Sequence, residues 1–157
     1  MRAFLEQIIV EAGEMALKYY KAGVTVTIKS HETDIVTEAD KAVSEFLIEK
    51  ITKQFPDHGV LSEESTDGVI HPQASIQWIM DPIDGTRNFA SGLPSWATMI
   101  AIVENGVPLH AGVYFPMTKE LFIATKGEGA WCDGVQMRCS QKQTLQYTLG
   151  KMFVTEP

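Results

Sequence analysis

Apolar side chains recur at three-to-four spacing near the amino terminus. Phe4, Leu5, Ile8, Ile9, Ala12, Met15, Ala16 and Tyr19 form one stripe, which predicts a long amphipathic helix over residues 4–20, stopped by Gly23. The period then changes to two: Val24-Thr25-Val26-Thr27-Ile28 alternates apolar and hydroxyl side chains, as a half-exposed strand does. After a polar turn at residues 29–33, Thr37 and Asp40 stand three apart like a capping box with aspartate in place of the usual glutamate. Val43, Phe46, Leu47 and Ile51 extend this into a second helix of about four turns, ending near Phe55-Pro56. Gly59-Val60-Leu61 is a short buried strand leading into Ser62-Glu63-Glu64-Ser65, and residues 66–75 read as a polar loop. His58 and His71, in turn-like surroundings, read as surface residues.

A second apolar run, Trp78-Ile79-Met80, ends in Asp81-Pro82-Ile83-Asp84-Gly85-Thr86. Gly92-Leu93-Pro94 then makes a turn, and residues 96–103 read as a buried strand interrupted only by Thr98. Asn105-Gly106 signals a hairpin whose returning strand covers residues 107–115, and a turn at 116–119 leads to a strand at 120–124. Gly127-Glu128-Gly129 and Asp133-Gly134 mark two further turns flanking Ala130-Trp131. Residues 141–146 are linker-like, and an apolar segment at 149–154 stops before Pro157. These elements predict an α+β fold in which helices are layered on a mainly antiparallel sheet.

A chain of 157 residues, 45% of them hydrophobic, suffices for one domain with a genuine core. Its net charge of −7 argues against binding a nucleic-acid phosphate backbone. Cys132 and Cys139 match neither zinc-pair nor CxxC spacing, which suits a reduced, cytoplasmic setting. The amino terminus lacks a signal layout, and the longest apolar run is too short to span a bilayer, so a soluble protein without membrane contact is expected.

The chemistry concentrates after Met80. Two ionised carboxylates, Asp81 and Asp84, beside a core strand repel each other and lose hydration unless cations or hydrogen bonds compensate. Oxygen donors from both, with the Ile83 carbonyl, suit a hard divalent cation such as Mg²⁺. Pro82 fixes φ and turns the backbone, Gly85 permits close approach to a ligand, and a helix starting at Thr86 or Arg87 would offer its first amides to a phosphate. An Asx-type turn followed by a helix cap explains the same residues without a ligand. Asp40 can equally be a first-turn acid, and Glu63-Glu64 a solvated loop pair.

Four segments together, residues 34–40, Ser62-Glu63-Glu64-Ser65, residues 78–89 and Gly127-Glu128-Gly129-Ala130-Trp131, resemble the inositol monophosphatase family in order and in spacing. The resemblance implies Mg²⁺-dependent hydrolysis of a phosphomonoester such as inositol monophosphate, another sugar phosphate, histidinol phosphate or a phosphorylated adenosine nucleotide. By position it implies that Glu63, Asp81 and the Ile83 carbonyl hold a first metal and that Asp81 and Asp84 hold a second. One metal would activate the attacking water and the other would stabilise the leaving oxygen. Asp40 would take the water's proton through the Thr86 hydroxyl, while the Gly85 and Thr86 amides bind the phosphate; Glu64 would have a supporting role. Arg87 departs from the small hydroxyl or lysine common in the family, and it either contacts an anionic substrate or pairs on the surface. The family's second lobe, with its Trp-Asp motif, has no match here. Residues 1–145 are therefore expected to be the metal-binding lobe and 146–157 the start of a connection to the other. The implied partners are a small phosphorylated metabolite and either a second copy of the chain or a complementary lobe. A truncated, catalytically impaired metal- or phosphate-binding lobe, acting as an interaction module or as half of a split enzyme, is the alternative.

Overall fold

The computed structural model describes residues 1–23, 26–28, 35–64 and 69–139. The linker at 141–146 and the apolar segment at 149–154 lie outside the described residues. Helix α1 (Arg2–Ala22) follows the predicted stripe, burying Leu5, Ile8, Ile9, Ala12 and Ala16, and ends at Gly23 with φ 81°. Strands β1 (Val26–Ile28) and β2 (Ile35–Thr37) form a small antiparallel pair. Thr37 then caps α2 (Glu38–Gln54) with both bonds of the predicted box in place.

The remaining strands form one sheet: β3 (Gly59–Ser62), β4 (Ile76–Asp84), β5 (Ala97–Glu104), β6 (Val107–Phe115), β7 (Glu120–Thr125), β8 (Gly129–Cys132) and β9 (Val135–Gln136). They lie side by side in sequence order. Only β3 and β4 run parallel, so the sheet is mixed and mostly antiparallel, as the pattern predicts. The β5–β6 loop is the expected Asn105-Gly106 turn, with φ 49° and 79°; two left-handed residues match a hairpin's twist.

Both long helices cover one face. Leu5 and Ile9 of α1 press on Gly112 of β6, where a Cβ would meet each of them at 3.1 Å. Trp78 of β4 is fully buried against Phe4 and Phe55, with ring centroids 6.0 and 5.6 Å away. The structure corrects the reading of His58 as a plain surface residue. It stacks on Phe55 at 4.8 Å, and its Nδ1 accepts the Trp78 indole N–H at 3.0 Å. Partial burial pushes its pKa down, against the opposing charge of Asp57.

The opposite face lacks such cover among the described residues. Strand registers align Leu61, Ile79, Ala101 and Ala111 in one row and Asp81, Met99, Val113 and Phe122 in the next. Leu61, Ile79 and Met99 are 38%, 41% and 36% exposed, which is high for apolar side chains in mid-sheet. A groove of about 590 Å³ runs along these rows and reaches Glu63 and Asp81.

Packing of α1 depends on Gly13, because any Cβ there would overlap the Tyr114 ring and come within 2.9 Å of Pro116. Gly13→Val should therefore destabilise the chain by about 2 kcal/mol, the usual cost of overpacking. Urea titration against the wild type checks this; equal stability would show that α1 can lift from β6 without penalty.

Candidate functional site

In a regular strand, residues three apart point to opposite faces. Asp81 pairs with Met99 and Asp84 with Ala97, so β4 places Pro82 and Ile83 opposite the single residue Thr98. This extra residue is a β-bulge, and it inverts the alternation: Trp78, Met80 and Ile83 are buried, while Asp81 and Asp84 stand on one face. The predicted sharp turn at Pro82 is thus a bulge within a continuing strand. The Ile83 N–H donates to Asp81 Oδ1 at 3.1 Å, so the Asx-type bond also forms.

Parallel pairing brings Glu63 alongside. Ser62 is registered with Met80, and one residue further the Glu63 amide donates to the Met80 carbonyl at 3.1 Å, leaving the Glu63 side chain beside Asp81. Asp81 is pushed up to about 7, first by burial, then by the Glu63 charge and hydrogen bond, and then by the Asp84 charge; the Ile83 amide opposes the shift. Asp81 therefore keeps its proton, beside Glu63, well above the usual aspartate range.

Asp40 enters from α2. It is 1% exposed, with its Oδ2 accepting the Thr37 amide at 2.8 Å and the Thr37 hydroxyl at 2.5 Å. Its Oδ1 faces Thr86, whose hydroxyl lies 3.4 Å from it and 3.1 Å from the Ile83 carbonyl. One proton and two acceptors let the hydroxyl donate either way. Thr86 opens α3 (Thr86–Ala90) directly after Gly85, which is left-handed at φ 88°. A side chain at Gly85 would also approach the Ser95 carbonyl to 3.0 Å, so both conformation and space require glycine. Phe89 anchors the short helix against Trp96 and Tyr20, at 4.8 and 5.5 Å.

The structure thus gathers Asp40, Glu63, Asp81, Ile83, Asp84, Gly85 and Thr86 around one bulge and one short helix. An all-oxygen donor set with two paired carboxylates fits a hard divalent cation, whose charge would replace the Asp81 proton. The fit is closest for Glu63 and Asp81. Among the described residues no three His, Cys, Asp or Glu side chains stand together as a ready cation site, and Asp84 acts on Asp81 through charge alone. Arg87 is exposed on α3 and Glu64 is half-buried after Glu63.

Three hydroxyls at the site escape the sequence reading. Ser44 and Ser62, both 3% exposed, share a 2.7 Å bond that ties the helix bearing Asp40 to the strand leading into Glu63. Thr98, fully buried, donates to the Pro82 carbonyl at 2.9 Å. A lone hydroxyl inside an apolar strand was the available signal, since such a group must find a partner.

Comparison with known proteins extends these local observations to the whole chain. The sequence profile of the inositol monophosphatase family matches residues 1–155. The Nus factor SuhB of Pasteurella multocida is 41% identical over 142 residues, which are 88% of this chain and 52% of that protein. The crystal structure of the extragenic suppressor protein suhB from Bartonella henselae superposes with a TM-score of 0.84 at 30% identity, covering 91% of this chain and 55% of that one. An IMPase/NADP phosphatase complexed with Mg²⁺ and phosphate superposes with a TM-score of 0.70 at 32% identity, covering 86% and 49%. The chain spans about half the length of the relatives it matches. By the profile that matches residues 1–155, the chain belongs to the inositol monophosphatase family.

Proposed function

We propose that this chain carries the metal- and phosphate-binding half of an Mg²⁺-dependent phosphomonoesterase acting on inositol monophosphate or a related small phosphate ester. One observation carries the reading: Glu63 pairs with Asp81 at the bulge, Asp84 stands on the same face, and buried Asp40 reaches the same backbone through the Thr86 hydroxyl. In this reading Glu63, Asp81 and the Ile83 carbonyl hold a first cation, and Asp81 and Asp84 hold a second. The oxygen donors favour Mg²⁺, and the Mg²⁺- and phosphate-bound IMPase/NADP phosphatase supports that choice. Such cations supply Lewis acidity, drawing charge from the phosphate oxygens and easing deprotonation of a water.

The chain's own groups orient and relay. Thr86 passes the water's proton to Asp40 Oδ1, which Thr37 holds in place from the other side. Gly85 and Thr86 direct their amides at the phosphate from the start of α3, where left-handed Gly85 allows close approach. In this reading residues 1–145 form the catalytic half. The open apolar face of β3–β6, reaching Glu63 and Asp81, supports a complementary lobe or a second copy as partner. That face and the half-length match also favour a second reading, in which the chain alone is an impaired binding module or half of a split enzyme. Net charge of −7 favours a metabolite over nucleic acid, the free Cys132 and Cys139 suit the cytoplasm, and among the described residues no helix is long and apolar enough to cross a membrane.

Phosphate release from a panel of small phosphate esters separates the two readings. Mg²⁺-dependent release that is lost in Asp84→Asn is expected of the enzyme; no release at saturating Mg²⁺ would leave only the module or split form. Thr86→Ala should lower turnover by about 10²-fold while cation binding persists, as loss of a proton relay does. Unchanged turnover would remove Thr86 from the mechanism.

The raised Asp81 pKa makes cation binding depend on pH. The folded chain holds a proton that the unfolded chain releases between the ordinary aspartate range and about 7, so cation-free stability falls as pH rises through that window. Cation uptake expels the same proton, so affinity should rise with pH and level off above about 7. Calorimetric titrations at pH 5.5 and 8, in buffers of different ionisation enthalpy, check both; equal affinity without proton release would place the cation away from Asp81.

With no cover on its β3–β6 face among the described residues, the purified chain should self-associate on sizing unless the complementary lobe is supplied. A monodisperse monomer would show that this face needs no partner.

A further inference from the structure

Beyond the ligating groups, the structure assigns Thr98 a positioning role: its hydroxyl holds the Pro82 carbonyl and so fixes the bulge that turns Asp81 and Asp84 to one face. The inference rests on the cation-binding reading of that bulge. Thr98 lies alone across from Pro82 and Ile83. The bulge shifts the backbone register at this point, and there the Pro82 carbonyl accepts from a side chain rather than leaving its fixing to the ladder alone. The Thr98 hydroxyl provides it at 2.9 Å from a fully buried position.

Packing alone does not call for this hydroxyl. Trp96, Ile100 and Ile102, the neighbouring core residues along this stretch, are apolar and buried, and a valine at 98 would have nearly the same shape as threonine. The hydroxyl instead distinguishes between two registers of β4. A ladder without the extra residue would turn Asp84 toward the core and Ile83 toward solvent, whereas the bulged one sets the Pro82 carbonyl against the Thr98 hydroxyl. Thr98 favours the second. It acts on the site through the backbone that carries the Ile83 carbonyl, the Ile83 amide on Asp81 Oδ1 and the Asp84 side chain.

Thr98→Val keeps the shape and removes the donor, and Thr98→Ser keeps the donor. Mg²⁺ and Mn²⁺ affinities measured by calorimetry, with amide hydrogen exchange at Ile83 and Asp84 in the cation-free chain, read the role without reference to turnover. The valine variant should bind about 10-fold more weakly, as losing a group that orients a ligand does, and should exchange faster at both amides, while the serine variant should match wild type in both. Wild-type affinity and exchange in a folded valine variant would overturn the role. Should the valine variant fail to fold, Thr98→Cys, a small and weak donor, takes its place with the same two outcomes. A wild-type chain that takes up neither cation would overturn the cation-binding reading and, with it, this role.

Discussion

A strand that alternates without interruption cannot present two residues three apart to the same side, and the whole site depends on how β4 escapes that constraint. One additional residue, accommodated at Pro82-Ile83 against Thr98, inverts the phase so that Ile83 enters the core and Asp84 stays with Asp81. The remaining groups follow from that inversion. Parallel pairing with β3 sets Glu63 beside Asp81, and the chain leaving the bulge reaches left-handed Gly85 and then Thr86, whose hydroxyl faces α2 at Asp40.

Concentrating acids in this way opposes folding, so stability must come from elsewhere. It comes from the helix-covered face, where α1, α2 and the inner residues of β4–β6 form a continuous apolar cluster that the carboxylates do not enter. Asp40 is the exception, and it is the acid with the best local support: its amide and carboxylate serve the cap of α2, so burying it completes a helix terminus. For Asp81, burial first and then the charges of Glu63 and Asp84 raise the pKa, with the Ile83 amide opposing them. The two acids thus sit in opposite environments within one site, one held by donors and the other awaiting positive charge.

How far the sequence revealed this depends on whether a feature is local. The stripes of α1 and α2, the Thr37–Asp40 box, the Asn105-Gly106 hairpin and the meander through β9 are set by neighbouring residues, and they appear where the periodicities place them. The candidate ligands were legible because acids, proline and glycine crowd into six residues at 81–86. The phase inversion was not, since nothing in Asp81-Pro82-Ile83-Asp84 distinguishes a turn from a bulge until the register with β5 is known. Thr98 and the Ser44–Ser62 bond were hidden for the same reason: their partners are 16 and 18 residues away. His58 looked like a loop histidine because its partner, the Trp78 indole, comes from a strand 20 residues on.

The sheet also unites two features that could have been separate. The face that no described helix covers carries the apolar rows through Ile79 and Met99, and the carboxylates stand at the end of those same rows, with Asp81 registered directly against Met99. Whatever covers the apolar rows must therefore also close over the acids. Removing water there strengthens every charge interaction at the bulge, since the same separation costs or gains several times more at low dielectric than in water. On the proposed reading, cover and chemistry are then coupled. A lobe or second copy drawn to the groove by apolar burial would raise the penalty on unpaired Asp81 and Asp84, and so tighten their hold on the cations that neutralise them.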